Sequence, residues 1–391
     1  MKKKIAILGS TGSIGITTLN ILSKNKKSFK LELLSTNKNI KKIRRQIKNF
    51  KVKNIIIHDK RKFNKNRLFF EKRKINVFQN VESFKKRYKY KLDYVMSSIT
   101  GLSGLEPTLE IIQCTKRIAI ANKESIICGW SLIKKELKKH DTNFIPIDSE
   151  HFSIYELIKN ENSKNIKKIY ITASGGPFLK INKSKLNKFV PKNAIKHPTW
   201  KMGKKISIDS STLINKIYEL IEAKKIFNLN YDKFEIIIQP TSYVHGVVEF
   251  NNGVCKILTH PTSMKIPIYN SLLFNKKISK INEDFDFNKM NNLNFQKIDN
   301  KKFPVFSLLN KLANLDSLYE TVLVTANDVL VDLFLKKKIK FYDIYKILNQ
   351  VLNLNEYKRY KILKPKNLNQ ITNLSMNVRL KTLALSVQSR V

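Results

Sequence analysis

The sequence predicts an α/β protein: a parallel, doubly wound sheet first, then an α+β segment, then a small helical one. Three observations predict it. Over residues 1–150 short apolar strands alternate with helical periodicities, the pattern of repeated βα units. The first strand runs into three of the chain's 11 glycines, Gly9, Gly12 and Gly15. Beyond residue 304 the pattern is helical with little strand signal, notably over 319–334. A chain of 391 residues is too long for one hydrophobic core, so about two to three domains are expected.

The elements follow in order. Strands are expected at 5–8, 31–34, 54–58, 75–78, 94–97 and 118–121, with a helix over 14–22 after the first. Between 143 and 275 the strand-like runs are 166–172, 234–238 and 244–250, separated by helices. Residues 276–303 are polar and rich in Asn and Lys, as a connection would be. The expected division is therefore 1–149, 150–275, 276–303 and 304–391. No internal repeat is evident.

Hydrophobic content of 42% with 22 Phe excludes a disordered chain. Cys114, Cys128 and Cys255 are too widely spaced for a disulfide framework or a zinc motif. The apolar run after the basic start covers only 5–8, too short for a signal peptide. No stretch approaches the roughly 18 apolar residues of a membrane span. A soluble, cytoplasmic protein is expected, with no membrane partner. The net charge of +45 raises a nucleic-acid surface as a reading. Lys, Asn and Ile share A/T-rich codons, however, and the excess Lys is spread over 41–49, 51–66, 71–91, 336–340 and 358–366 rather than gathered. We read the charge as compositional and expect no specific nucleic-acid partner.

Gly9-Ser10-Thr11-Gly12-Ser13-Ile14-Gly15 closes a strand and opens a helix, the context of a dinucleotide-binding, Rossmann-like turn. There a pyrophosphate meets free N–H groups and the positive end of the helix dipole. The second strand ends Ser35-Thr36-Asn37-Lys38-Asn39. It lacks the acid that holds a ribose 2′-hydroxyl, and Lys38 suits a 2′-phosphate, which favours NADP. Ala121-Asn122-Lys123-Glu124-Ser125 ends a later strand of the same sheet, where ligands bind in such folds.

Phe144 to His151 reads as an apolar strand running into acids. On an extended segment Asp148 and Glu150 project to the same side, a spacing that suits a hard divalent cation. If 212–227 is a helix, Asn215, Glu219 and Glu222 share a face opposite Leu213, Ile217 and Leu220. For Glu222 a plain solvent face is an equal reading. Ser210 and Ser211 then fall at the N-cap, where hydroxyls and free N–H groups address a phosphate. Ser174 stands in a second glycine turn, 172–178, and offers another hydroxyl. His197, Trp200, Met202 and Gly203 lie in a Pro-containing loop suited to a lid over 197–205.

Taken together, these segments resemble the 1-deoxy-D-xylulose 5-phosphate reductoisomerases. The resemblance is carried by L-G-S-T-G-S-I-G (8–15), A-N-K-E-S (121–125), P-I-D-S-E-H (146–151), A-S-G-G-P-F (173–178) and H-P-T-W-K-M-G-K-K-I-S-I-D-S (197–210), with N-K at 215–216 and E-x-x-E at 219–222. It implies that Thr11, Gly12, Ser13, Ile14, Asn37, Lys38, Asn39, Asn122, Glu124 and Gly203 contact NADPH. It implies Asp148, Glu150 and Glu219 as ligands of Mg²⁺, Mn²⁺ or Co²⁺. Lys123, Ser149, Glu150, Ser174, His197, Ser210, Asn215, Lys216 and Glu219 would hold a sugar-phosphate substrate. Lys123, Glu150, His197, Lys216 and Glu219 among them would be catalytic, and the protein would be a homodimer. Asn37 stands where the family often has Gly, a substitution that Asn's tolerance of left-handed φ would accommodate. Ser103 stands where Ala is usual, and the C-terminal third matches only loosely.

Two rivals remain at this stage. A semialdehyde dehydrogenase would share the glycine turn but needs a nucleophilic Cys, and none of the three has a Cys/His setting. A nucleic-acid-binding protein would leave the acids at 148, 150 and 219 unexplained.

Overall fold

A computed structural model describes every residue except Lys183, Ser184, Asn187, Lys188, Lys201, 274–282, Asn292 and 389–391. The expected connection 276–303, the expected lid 197–205 and the end of the C-terminal segment thus lie partly outside the described residues. The chain forms two compact units. The first comprises 1–126, 132–152 and 264–283; the second comprises 127–131, 153–263 and 284–391.

In the first unit the strands are β1 (Lys3–Leu8), β2 (Phe29–Thr36), β3 (Asn54–Ile57), β4 (Asn76–Phe78), β5 (Tyr94–Ser97), β6 (Arg117–Ile120) and β7 (Asn143–Pro146). Helices α1 (Ser13–Lys24), α2 (Ile40–Phe50), α3 (Lys60–Glu71), α4 (Val81–Arg87), α5 (Leu105–Ile112) and α6 (Lys123–His140) alternate with them. The strands make one parallel sheet in the order β4-β3-β2-β1-β5-β6-β7. Ile5, Ile7, Leu34, Ile55, Ile57 and Met96 are fully buried in its core. That continuous apolar content is what a sheet covered on both faces requires. The strand order reverses at β1, between β2 and β5, so the turn after β1 sits at the switch point where such sheets bind ligands. The helix Lys265–Ser271, α11 in chain order, also packs here against α1, although it falls in the expected segment 150–275. Its Ser271 hydroxyl lies 2.7 Å from the buried Tyr94 hydroxyl.

Helices α7 (Ser149–Ile158), α8 (Pro191–Ala194), α9 (Lys204–Ser211) and α10 (Ile214–Phe227) precede or surround a second, mixed sheet. That sheet is β8 (Ile166–Ala173), β9 (Phe234–Ile238), β10 (Val244–Phe250) and β11 (Cys255–Thr259), ordered β11-β10-β8-β9. Only β8 and β9 are parallel. Gly246 lets α7 approach β10: a Cβ there would stand 3.2 Å from Ile154 Cγ1. The remainder is helical: α12 (Phe287–Asn291), α13 (Tyr319–Leu335), α14 (Phe341–Asn353), α15 (Asn355–Lys358) and α16 (Leu368–Gln388). Helix α13 is buried nearly all round, with apolar residues on every face between a few polar ones, and packs on α14 and α16. It is joined to α10 by a buried ion pair, Lys225 Nζ to Glu320 Oε2 at 2.6 Å. Burial opposes the Lys225 charge, but Glu320 and Asp316 outweigh it and hold the ammonium above its ordinary pKa. The observed class is therefore a Rossmann-like parallel sheet, an α+β part and a helical C-terminal part, as the sequence predicts. No helix among the described residues is long and apolar enough to cross a membrane.

Candidate functional site

The glycine turn is built so that only glycine fits. Gly9 has φ +81°, and a Cβ there would meet the Ser98 carbonyl oxygen at 2.6 Å. A Cβ on Gly15 would meet the Gly9 carbonyl at 2.5 Å. Gly12 is the N-cap of α1 and offers no side-chain cap, so the first N–H groups of the helix face outward for an anion. Gln46 holds the turn from α2, donating to Ser10 O at 2.8 Å while its Oε1 accepts from Ser10 Oγ at 2.7 Å. This cradle fits a dinucleotide pyrophosphate.

Asn39 caps α2, its Oδ1 accepting from Lys42 N at 3.1 Å. Lys38 is exposed, with its Nζ 3.8 Å from Asp59 Oδ2. Among the described residues the left-handed non-glycine positions are Lys51, Lys74, Asp141, Leu213, Asn228, Ser242 and Lys337. Asn37 is not one of them, so the tolerance invoked for it goes unused. Asn122 caps α6, accepting from Ser125 N at 2.9 Å and donating to the carbonyls of Ile99 and Gly101. Lys123 and Glu124 follow it in the first turn of α6, both largely buried.

The acids at 148 and 150 correct the sequence reading. They do not share an extended segment, because β7 stops at Pro146 and Ser149 opens α7. The Asp148 carbonyl accepts from Phe152 N at 2.8 Å, the first turn of that helix. D-S-E behaves as a helix start, where acids favour the dipole. Lys123 Nζ pairs with Asp148, His151 Nδ1 lies 3.6 Å from the same carboxylate, and the Ser149 hydroxyl donates to Glu150.

The segment 204–227 also departs from expectation. A single helix from 212 would place Ser210 and Ser211 at its N-cap; instead they are the last residues of α9. Leu213, at φ +63°, breaks the chain into a second helix that starts at Ile214. Nor is there a solvent face, since Glu219 and Glu222 are each 1% exposed. Asn215 donates to one Glu219 oxygen, and the Lys216 ammonium pairs with the other. In each unit, then, a lysine compensates a buried or half-buried acid: Lys123 on Asp148, Lys216 on Glu219. The carboxylate oxygens themselves are the hard donors a divalent cation takes, and the lysines balance their charge while no cation does.

The second glycine turn is equally constrained. Gly175 and Gly176 both have positive φ, and a Cβ on Gly176 would meet the Ser210 carbonyl at 2.8 Å. Ser174 is thus seated beside the end of α9. Its Oγ accepts from Gly176 N at 3.1 Å and lies 3.1 Å from His197 Nε2. His197 Nδ1 accepts from the backbone N–H groups of Thr199 and Trp200, at 3.2 and 2.9 Å. Two donors on Nδ1 leave the ring proton on Nε2. Burial, and then the charge of Lys216, push the imidazole down to about 4, so it is neutral at physiological pH. The structure thus brings Ser174 against His197, its turn against Ser210 and the Lys216 charge near the imidazole, while the Asn215 amide is turned to Glu219.

Trp200 packs edge-on against His245, with ring centroids 5.9 Å apart, and His245 stacks on His260 at 3.7 Å. Thr199 Oγ1 lies 3.2 Å from Ser242 Oγ. The platform under Trp200, residues 242, 245 and 260, escaped the sequence reading; two His near a strand of alternating pattern were its only trace. Gly203 is the N-cap of α9, and a Cβ there would meet nothing within 4 Å. Of the cysteines, Cys114 is pushed up to about 11 by burial, which unsuits it as a nucleophile and disfavours the dehydrogenase rival.

Comparison with known proteins agrees along the chain. Family models described as 1-deoxy-D-xylulose 5-phosphate reductoisomerase match residues 5–129, its C-terminal domain 144–227, and DXP reductoisomerase C-terminal domain 260–381. The 1-deoxy-D-xylulose 5-phosphate reductoisomerase of Pelagibacter ubique is 53% identical, covering 98% of this chain and all of that one. The Clostridium novyi protein of the same name is 38% identical, over 92% of this chain and 94% of its own. Among solved structures, the enzyme from Zymomonas mobilis in complex with NADPH superimposes with a TM-score of 0.87 at 30% identity, covering 99% of both chains. A DOX-P reductoisomerase in complex with NADPH, fosmidomycin and magnesium gives 0.92 at 29%, with the same coverage. By these matches the chain belongs to the 1-deoxy-D-xylulose 5-phosphate reductoisomerase family.

Proposed function

We infer that this chain rearranges and reduces 1-deoxy-D-xylulose 5-phosphate to 2-C-methyl-D-erythritol 4-phosphate, in non-mevalonate isoprenoid biosynthesis. NADPH is the reductant and a divalent cation, Mg²⁺ in the solved relatives, is the metal. The observation that carries the reading is 53% identity to a reductoisomerase across 98% of the chain. The rigid glycine cradle and the lysine-compensated acids support it. When bound, the cation polarises substrate oxygens and NADPH supplies the hydride.

The rest falls to the chain's own groups. We propose that Thr11, Gly12, Ser13, Ile14, Asn37, Lys38, Asn39, Asn122, Glu124 and Gly203 hold NADPH, and that Asp148, Glu150 and Glu219 hold the metal. Ser174, His197, Ser210, Asn215 and Lys216 grip the substrate phosphate; neutral His197 donates through Nε2 and Lys216 brings the positive charge. Lys123, Ser149 and Glu150 orient the reacting end, and Trp200 and Met202 exclude water when the lid 197–205 closes. Phosphate contacts remote from the reacting carbons supply binding energy for that closure. Mn²⁺ or Co²⁺ replacing Mg²⁺, a homodimer, and a cytoplasmic location belong to the same proposal. So does the functional division into 1–149, 150–275, 276–303 and 304–391, with dimerisation through the second. The test is NADPH oxidation that requires both deoxyxylulose phosphate and Mg²⁺ or Mn²⁺. Oxidation that persists without either, or none with both, would refute it.

A further inference from the structure

The role of the C-terminal helices is the least legible part of the sequence, and a buried polar pair within the second unit bears on it. Asp209 in α9 is 2% exposed. Its Oδ1 accepts from Asn327 Nδ2 of α13 at 2.8 Å, and its Oδ2 lies 3.1 Å from Lys205 Nζ. Lys205 also reaches Asp328 Oδ1 at 2.9 Å and sits 5.5 Å from the centre of the Tyr218 ring on α10. One residue pair of α13 thus fastens α9 directly and α10 through Lys205. Asn327 itself is fully buried, 118 positions away in sequence.

The fastening sits where the backbone is under strain. Leu213 holds a left-handed φ of +63° between α9 and α10, a conformation that crowds the Cβ of an L residue. Such a kink persists only where its surroundings impose it. It is bracketed by Ser210 on one side and by Asn215 and Lys216 on the other, and the glycine turn bearing Ser174 rests on the Ser210 carbonyl. Moving the end of α9 would therefore displace every proposed phosphate donor at once. Asp209 adjoins Ser210, so its negative charge must be compensated if a phosphate is to bind there; Lys205 supplies the compensation. A buried ionic group is weak support for stability but gives directional hold.

We propose that Asn327 is a positioning residue for the substrate phosphate: through Asp209 it fixes the α9–α10 kink and with it the register of Ser174, Ser210, Asn215 and Lys216. This gives α13, in the helical C-terminal part, a role in substrate recognition without touching substrate. It rests on the phosphate assignment above.

The test compares wild type, Ser210→Ala, Asn327→Ala, Lys205→Met and the exchange Asp209→Asn with Asn327→Asp. The readouts are KM and kcat for substrate, the competitive Ki of inorganic phosphate, KM for NADPH and the melting temperature. Misplacement by about an ångström can cost up to about a hundredfold. For Asn327→Ala we expect substrate KM and phosphate Ki to rise together, by roughly tenfold, with KM for NADPH unchanged and part of the loss recovered by the exchange. A lowered melting temperature with unchanged phosphate Ki makes the pair merely structural and overturns the proposal. Should Asn327→Ala not fold, Lys205→Met carries the same expectation from a partly exposed site. If Ser210→Ala raises the Ki and neither of these does, the positioning role alone fails. If Ser210→Ala also leaves it unchanged, the phosphate assignment fails and this inference with it.

Discussion

Replacing Glu219 by Gln separates two roles that the acid fills, as charge partner of Lys216 and as proposed metal ligand. The side chains of Glu219 and Lys216 are 2% and 9% exposed, so the pair is buried. Removing one partner of a buried pair costs about 3–5 kcal/mol, because the other charge is left uncompensated. Gln keeps one acceptor for the Lys216 ammonium, which puts the cost near the low end, about 3 kcal/mol. For a folding unit of roughly two hundred residues, 1 kcal/mol shifts the melting temperature by about 2–4 °C, so the variant should melt about 6–12 °C lower without ligands. Inorganic phosphate should reverse part of that loss, since the Lys216 ammonium near His197 then lacks the Glu219 charge and gains more from an added anion. Thermal melts with and without phosphate measure both effects, and the phosphate shift should be larger in Glu219→Gln than in wild type. Turnover should be lost at saturating Mg²⁺ or Mn²⁺, assayed without phosphate and below the variant's melting range. An unchanged melting temperature, or equal phosphate shifts in the two proteins, would refute the charge argument. Near-normal kcat would refute the metal assignment.

Gly15→Ala introduces a Cβ 2.5 Å from the Gly9 carbonyl and 2.6 Å from Ser10 Cα, all backbone, so the turn itself must move. NADPH affinity, read by quenching of protein fluorescence, should fall at least about tenfold while phosphate binding in the second unit is unaffected; an unchanged affinity would remove the pyrophosphate from this turn. His197 supplies a pH dependence. Its folded pKa, about 4, lies below the unfolded value of about 6.5, so between these limits the unfolded state binds more protons. Wild-type stability should therefore drop relative to His197→Gln as pH falls from about 6.5 towards 4, and the difference should be flat above that window. Parallel melting curves of the two proteins across it would show that the imidazole is not held neutral by the fold.

What was legible in the sequence had a local cause. Ile5, Ile7 and Leu8 form a run too apolar for anything but a buried strand, and Gly9 and Gly15 mark backbone that no other residue can follow. The exact strands at 94–97, 234–238 and 244–250 come from the same short-range signal. Strand β11 was overlooked although Asn251-Asn252-Gly253, with Gly253 at φ +84°, is a hairpin signal. At D-S-E two local rules compete: alternation along a strand and the preference of acids for a helix start. The helix won because Ser149 begins α7 directly after β7.

The break at Leu213 is of another kind. No glycine stands at it, and the hydroxyl run Ser210-Ser211-Thr212 marks a helix start nearby without showing the short helix α9 that precedes it. The asparagine proposed to hold it lies 114 positions downstream, in a helix that is almost wholly buried. The same holds for the burial of Glu222. A carboxylate on a helix reads as solvent-facing because burial of a charge is costly, and what lowers that cost is a partner set by tertiary structure. In a chain with 30 acids against 75 Lys and Arg, cations are everywhere and acids are scarce. Four acids among them, Asp209, Glu219, Glu222 and Glu320, are nonetheless nearly inaccessible. Lysine excess on the surface says little about function here; the few carboxylates taken inward, each at a cost that only a specific arrangement offsets, say most.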